Sequence, residues 1–420
     1  MADPAQTTLF GQIAGGEEAP KPREARNGLR EIASLSMTKI SDGLINPKLV
    51  LSWLLNALGA PAYFVSALVP IREAGALLPQ ILLAGWLKTL AHRKWMWAAG
   101  AALQGVAALA IALSGIWLQG WAAGLAICAA LAVLALARAA CSVSYKEVQG
   151  KTIAKTRRGA ITGTAGSAAS LVVVVFAVLL MTGLLQSEGA VVAAIAVAGV
   201  LWLGAALLFS TLREPASEPE DDPGRPEFLS VLRGDAALRR FVLVRGLLVS
   251  TSLAPPYIVL LSQESGEGVL GQLGAMLLAS SAASFLSSYL WGRLSDRSSR
   301  LVLAASGVAG ALSMGLMLVL WAAGIANAVW VGPTVLFLLM ISYHGVRQAR
   351  STYLVDMAPE DSRGSYAAVA NTLIGSILLL TGLFGGALSV ISAAWALAGF
   401  AVMAAAGGAL ALTLREVEAG

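Results

Sequence analysis

Charged side chains are scarce in this chain. Lysine, arginine, aspartate and glutamate make up 13% of its 420 residues, whereas 57% are hydrophobic. Soluble domains carry about 25% charged residues, so this chain has too few charges to cover a soluble surface of its size. Because one membrane-spanning helix needs about 20 apolar residues, the composition predicts an all-α membrane protein that crosses the bilayer many times.

Features of several other protein classes are also missing. The only cysteines, Cys128 and Cys141, lie in one apolar run, so no disulfide framework or metal spacing is expected. We see no catalytic triad, metal cluster or phosphate-binding loop, and therefore predict no enzyme, no cofactor and no ATP hydrolysis by the chain itself. The net charge of +5 is spread along the sequence, so no nucleic-acid partner is expected. The first twenty residues do not resemble a cleavable signal peptide.

What the sequence does contain is a series of twelve apolar runs. They lie at roughly 49–69, 73–90, 95–117, 121–143, 160–184, 189–211, 241–262, 268–291, 301–323, 328–349, 364–388 and 391–413. These runs predict twelve transmembrane helices in two six-helix bundles. The predicted organisation is a tail at 1–45, a first bundle at 46–212, a linker at 213–240, a second bundle at 241–414 and a short tail at 415–420. Residues 23–39 of the first tail form either an amphipathic surface helix or disordered chain.

Basic residues are concentrated on one side of the predicted bundles. The first tail and the loops after every second run are rich in lysine and arginine, whereas SGIWLQG, QSEG, SQESGEG and GIANA on the other side contain neither. Arg72 is the one basic residue that we assign to that other side. The positive-inside rule then predicts cytoplasmic termini and a cytoplasmic linker, in the inner membrane of a bacterium.

Short motifs recur in the two halves. Ala60-Pro61-Ala62-Tyr63 in the first run is matched by Ala254-Pro255-Pro256-Tyr257 in the seventh, and GWLKTLAHRK at 85–94 is matched by GRLSDRSSRL at 292–301. KTIAKTRRG at 151–159 is matched by DMAPEDSRG at 356–364. Three ordered matches at similar offsets predict two bundles related by a pseudo-two-fold axis along the membrane normal.

GRLSDRSSR resembles the loop signature G-x-x-x-D-R-x-x-R of the major facilitator superfamily. The residues in the signature positions are Gly292, Asp296, Arg297 and Arg300. The basic-glycine pairs that open the fifth and eleventh runs, at Arg158 and Arg363, are also typical of that superfamily. The resemblance covers roughly residues 45–415 and implies twelve helices in two bundles and a transport function.

The resemblance also implies a gate on the cytoplasmic side. The first-half copy of the signature keeps Gly85, Arg93 and Lys94 but has Thr89 where the acid is expected. By resemblance, Asp296 would face the start of the fifth helix near Arg158 and act as a latch between the bundles. Because Thr89 has no charge, only the second-half latch would contain its carboxylate.

Polar residues inside the predicted spans are candidates for the solute site, because a charge at the bilayer centre is costly. We place Arg72 and Glu73 at the outer end of the second span, and no aspartate or glutamate in the middle of any span. Glu73 shares a helical face with Gln80 and is the candidate for a titrating carboxylate. The alternative is an Arg72–Glu73 pair that fixes the mouth of the helix.

The remaining candidates lie in the first, seventh and eleventh spans. They are Asn56, Tyr63, Arg245, Tyr257 and Asn371. For Asn56 and Tyr63 the alternative role is packing between helices, and for Arg245 it is a side chain that reaches back to the membrane surface or forms a structural ion pair.

These observations predict a secondary transporter. We expect it to work as a monomer in the lipid bilayer and to move a small solute by alternating access. The driving force would be an ion gradient, with protons as the first candidate, or the gradient of the solute itself. The alternative is a transporter-like membrane protein that acts as an assembly factor or a sensor, with partner sites in its tail and linker. A ligand-dependent flux would favour the first reading, and a stoichiometric partner without flux the second.

Overall fold

The regular structure of the chain is helical. This computed structural model describes residues 4–15, 19–182, 187–218, 235–262, 269–358 and 363–417. Within those ranges the helices are α1 Pro4–Ala14, α2 Pro22–Ile45, α3 Val50–Ala57, α4 Ala62–Leu77, α5 Gln80–Lys88, α6 Lys94–Trp117, α7 Gly120–Thr152, α8 Arg158–Met181, α9 Glu188–Ser210, α10 Ala236–Leu248, α11 Ser250–Leu253, α12 Pro255–Ser262, α13 Val269–Ala322, α14 Val331–Met357, α15 Arg363–Ile391 and α16 Ala393–Ala411.

Nine segments in the described part of the chain are long and apolar enough to cross a membrane. They are Ala62–Lys88, Lys94–Trp117, Gly120–Thr152, Arg158–Met181, Glu188–Ser210, Ala236–Ser262, Arg297–Ala322, Val369–Ile391 and Ala393–Ala411. A helix of 23 residues such as α9 is about 35 Å long at 1.5 Å per residue, enough for a hydrocarbon layer of about 30 Å. The all-α membrane fold predicted from composition is therefore confirmed. The more polar α2–α3, the first part of α13 and α14 make the arrangement consistent with twelve spans.

The amino-terminal boundary differs from the prediction. Pro22–Ile45 is not a tail outside the bundle but a helix, α2, that packs against α8 and α9. Ser41 Oγ donates to the carbonyl of Ala198 at 2.8 Å, and Lys39 Nζ donates to that of Thr162 at 2.8 Å. Hydropathy misses this helix because it contains several charges, and some of them, such as Lys39 and Asp42, have their partners on neighbouring helices.

The predicted first span, 49–69, is divided in the structure. Helix α3 ends at Ala57, Gly59 has a left-handed backbone with φ of 69°, and Pro61 is the N-cap of α4. Pro61 therefore lies at the start of α4 and not inside a helix. Ala254 and Pro255 instead lie at the junction of α11 and α12, inside the continuous segment Ala236–Ser262, so the two Ala-Pro motifs do not occupy equivalent places.

This division moves Arg72 and Glu73 to the middle of the membrane. In the segment Ala62–Lys88, Arg72 and Glu73 lie about 15 Å from the start at 1.5 Å per residue. The prediction that they sit at the outer rim is therefore wrong. The prediction that no carboxylate lies in mid-span is also wrong, because Glu73 in α4 and Asp42 in α2 both do.

The two halves of the chain pack closely beside the start of α4. Ser66 Oγ donates to Ser389 Oγ in α15 at 3.1 Å. One helical turn further along, the backbone of Gly382 lies against the ring of Pro70, with no room for a Cβ. Small residues thus let α4 and α15 touch. This contact lies on the side that the sequence predicts to be external.

The turn GRLSDRSSR lies within α13. The backbone leaves the helical conformation at Ser298, with φ of −164° and ψ of 99°. Ser298 Oγ accepts from the amide of Leu301 at 3.2 Å and donates to Glu416 Oε2 at 2.9 Å. Ser298 therefore ends one helix and caps the next, as the predicted pair of antiparallel spans requires.

Candidate functional site

Asp42 joins three helices in the middle of the first half. Its Oδ1 accepts from Arg72 Nη2 in α4 at 2.7 Å, and its Oδ2 pairs with Arg138 Nη1 in α7. One carboxylate is therefore shared by two guanidinium groups, each on a different oxygen. The group keeps one surplus positive charge.

Glu73 forms a second group that includes the other half of the chain. Its carboxylate lies 3.9 Å from Lys48 Nζ, and that ammonium lies 3.6 Å from the ring centroid of Tyr343 in α14. Arg347 and Arg350, one and two turns further along α14, are near enough to act on the charge of Glu73. Because α4 and α14 come from different halves, Glu73 lies where the halves face each other.

Arg245 forms a third group within the second half. Its Nη2 donates to Asn371 Oδ1 in α15 at 3.1 Å, and the residue is 5% exposed. It does not reach back to the membrane surface, as the sequence had left open. Arg350 and Glu73 are near enough to act on its charge, and Lys39 in α2 is near Asp42 and Arg138 in the same way. We call the three groups, together with Lys39, the central charge cluster.

The central charge cluster faces space inside the bundle. Although Glu73 and Arg138 lie in the middle of long helices, their side chains are 35% and 38% exposed. A charged side chain that faced lipid at this depth would be strongly unfavourable. Since the groups around them come from α2, from Lys48 in the turn between α2 and α3, and from α14, the exposed surface belongs to an interior space between the helices. Within the described residues, no group of three or more histidine, cysteine, aspartate or glutamate side chains could hold a metal ion.

The sequence itself also matches a known family. Residues 33–378 match the sequence profile of the Major Facilitator Superfamily. The chain belongs to this superfamily. The search of curated proteins returned no match.

Solved structures agree with the assignment at the level of the fold. A variant of the nucleoside transporter NupG aligns with a TM-score of 0.70 at 12% identity, covering 93% of this chain and all of that one. A D-xylose-proton symporter aligns with a TM-score of 0.69 at 10% identity, covering 93% of this chain and 98% of that one. A POT family transporter in complex with 5-aminolevulinic acid gives 0.71 at 13% identity, covering 96% and 97%.

Some of the predicted solute-site residues of this superfamily member lie outside the cluster. Asn56 and Tyr63 are exposed on either side of the turn between α3 and α4, and Tyr63 packs on Phe64 with ring centroids 4.8 Å apart. Tyr257 is buried against Phe400, 5.4 Å between ring centroids. Gln80 bonds the carbonyl of Ala76 in its own chain segment at 2.8 Å. The structure thus brings together Arg72, Glu73, Arg245 and Asn371, but not these four.

Sequence reasoning does not predict six of the nine charged residues of the cluster. Lys39 and Asp42 fall in the predicted tail, Lys48 lies just after it, and Arg138, Arg347 and Arg350 are not among the predicted site residues. A signal was present: Lys39 and Asp42, like Arg347 and Arg350, are spaced i, i+3, which places each pair on one helical face. Two charges on one face of a membrane-spanning helix indicate that this face borders a space inside the bundle and is not a helix end.

The first-half copy of the loop signature forms a compact charged knot. Lys94 Nζ donates to the carbonyls of Ser210 at 2.8 Å and Leu212 at 2.7 Å. The Glu214 carboxylate accepts from the amides of Arg93 at 3.1 Å and Lys94 at 2.8 Å, and pairs with Lys151 at 2.9 Å. Glu214 therefore supplies, from the chain after α9, the negative charge that Thr89 lacks.

Arg93 and Gly85 complete the placement of that copy. The Arg93 guanidinium pairs with Glu147 in α7, and Gly85 lies within α5. Arg158 donates to the carbonyls of Ile153 at 3.1 Å and Gly150 at 2.8 Å. These bonds join Arg158 to the end of α7 and the residue that follows it.

The second-half copy is described only in part. Arg297 is exposed, and Arg300 pairs with Glu416 at 3.1 Å and donates to the carbonyl of Leu414 at 3.3 Å. Gly292 lies in α13 and Arg363 opens α15, but the surroundings of both, and the side chain of Asp296, lie outside the described residues. The latch role of Asp296 therefore stays a prediction.

Proposed function

We propose that this chain is a secondary transporter that moves a small solute by alternating access. The observation that carries the proposal is the central charge cluster, in which charged residues from both halves meet in mid-membrane. Such residues are costly in a bilayer and are characteristic of substrate and ion pathways. Membership of the superfamily supports the same function.

The proposed solute site is the interior space next to Arg72, Glu73, Arg245 and Asn371. Residues from both halves border it, so a rocking movement of one half against the other would expose it first to one side of the membrane and then to the other. The contact between Ser66 and Ser389 closes one side in this structure. Transport would require that contact to open.

We further propose that Glu73 couples transport to protons. Protonation of its carboxylate would release Lys48 and weaken the hold on Arg347 and Arg350 across the two halves. A carboxylate whose charge links the halves can thereby tie their movement to proton binding.

Solute exchange in proteoliposomes tests the function. The purified chain would first be screened by thermal shift against a broad solute panel, because a solute that binds the native state raises its stability. Labelled forms of the stabilising solutes would then be followed in counterflow. Saturable exchange supports the proposal, whereas stabilisation without exchange of any of them contradicts it.

A further inference from the structure

Positive charge predominates in the central charge cluster. Within the described residues, its cations come from both halves of the chain and its paired carboxylates are Asp42 and Glu73. The seven cations are Lys39, Lys48, Arg72, Arg138, Arg245, Arg347 and Arg350. This is an excess of five positive charges over those two carboxylates, at a depth where unpaired charges are unfavourable.

The two carboxylates are already shared. Asp42 uses one oxygen for Arg72 and the other for Arg138. Glu73 is near Lys48, with Arg347 and Arg350 also acting on it. These carboxylates cannot neutralise the remaining cations as well.

Arg245 shows most clearly that the cluster has too few carboxylates for its cations. Its partner in the structure is the neutral amide oxygen of Asn371, and its buried Nε has no hydrogen-bond partner in the described part of the chain. A planar guanidinium with free donors matches a carboxylate or phosphate group, which can accept two parallel hydrogen bonds. Lys39 likewise donates to a neutral group, the carbonyl of Thr162 at 2.8 Å.

We propose that the central charge cluster binds an anionic solute that carries at least two negative charges on carboxylate or phosphate groups, and that Arg245 holds one such group. This proposal rests on the proposed transport function for its physiological meaning, although binding alone can be measured without transport. A neutral sugar or nucleoside would leave the excess charge unbalanced. A dianion or trianion reduces it and supplies acceptors for the unused donors.

Thermal shift with defined anions tests the proposal. The full-length purified chain is titrated with citrate, succinate and inorganic phosphate at constant ionic strength set with sodium chloride, and with succinamide as the uncharged counterpart of succinate. We expect saturable stabilisation by one or more of the three anions and none by succinamide. Carboxylate and phosphate sources are separated by which titration saturates at the lower concentration. Equal shifts with succinate and succinamide, or no shift with any anion, would overturn the proposal.

A matched pair of variants assigns the contact to Arg245. Arg245→Gln should weaken the apparent affinity for the stabilising anion by about 10- to 100-fold, the range for one charged hydrogen bond. Arg240→Gln removes a charge from an exposed position on the same helix and should leave the affinity unchanged. If Arg245→Gln does not fold, Arg245→Lys keeps the charge without the fork and should show an intermediate loss. Equal effects at positions 240 and 245 would reject the assignment.

The outcomes for binding and for transport can be told apart. Saturable anion binding without anion counterflow would leave this inference standing and contradict transport of that anion. Counterflow of a neutral solute, with no anion binding, would support transport and overturn the anion site.

Discussion

Asp42→Asn removes the carboxylate that Arg72 and Arg138 share. Asparagine has nearly the same shape, so the change leaves packing intact and tests charge alone. Removing one partner of a buried ion pair costs about 3–5 kcal/mol, because the other charge stays buried and uncompensated. The side chains of Asp42 and Arg138 are 22% and 38% exposed, so solvent reduces this cost. We therefore expect a loss of about 3 kcal/mol in the free energy of unfolding.

A double-mutant cycle separates this electrostatic effect from other causes. Arg72→Gln alone leaves Asp42 paired with Arg138 and should cost about 1.5–3 kcal/mol, the range for a hydrogen bond between charged groups. In the double variant Asp42→Asn with Arg72→Gln, one of the two stranded guanidinium groups is gone. The double variant should therefore lose less free energy of unfolding than the sum of the two single losses, by about 0.5–3 kcal/mol.

The assay is reversible unfolding in mixed detergent micelles, followed by the fluorescence of the eleven tryptophans. Glu188→Gln, at an exposed position at the start of α9, serves as the charge-matched control and should change stability by about 0.5 kcal/mol or less. If Asp42→Asn resembles that control, or if the two single losses add without coupling, the carboxylate is not shared between α4 and α7.

Three further predictions concern Glu214, the contact between the halves, and Glu73. Glu214→Gln should lower the free energy of unfolding by about 3–5 kcal/mol, because the fully buried carboxylate pairs with Lys151. Glu147→Gln, at a half-exposed carboxylate, should lower it by about 0–1 kcal/mol. Equal losses in unfolding experiments would count against the charged knot. Cysteines at Ser66 and Ser389, whose hydroxyls are 3.1 Å apart, should form a disulfide that stops counterflow until reductant is added; undiminished flux in the oxidised variant would show that this side need not open. Glu73→Gln should make uptake independent of pH while exchange persists, and an unchanged pH profile of uptake would remove Glu73 from proton coupling.

Much of the fold follows from hydropathy, and the reason is physical. Helices such as α9 and α16 are almost wholly apolar because they contact lipid on one side and other apolar helices on the other, so a window average finds them directly. The same average fails for α2. Lys39 there donates a hydrogen bond to the carbonyl of Thr162, and Asp42 pairs with Arg72 and Arg138, so these charges have partners inside the protein. A sequence window counts those charges without knowing that partners exist far along the chain.

The site was predicted in part for a related reason. Arg72, Glu73, Arg245 and Asn371 were found because they interrupt apolar runs. The depth of Arg72 and Glu73 is misjudged because the turn at Gly59 and Pro61 lies inside what reads as one run. A shift of that boundary by about ten residues moves a charge by about 15 Å. Partners between distant helices, such as Lys48 with Tyr343, have no local signature.

The burial of α2 has a practical consequence for anyone who shortens the chain. A fragment cut at the first strongly apolar residues, near position 46, would remove Asp42 and leave Arg72 and Arg138 facing each other without a carboxylate. Such a fragment would also expose the faces of α8 and α9 that α2 covers. We expect it to aggregate when produced, and affinity tags are better attached after residue 417 than used to replace the beginning of the protein.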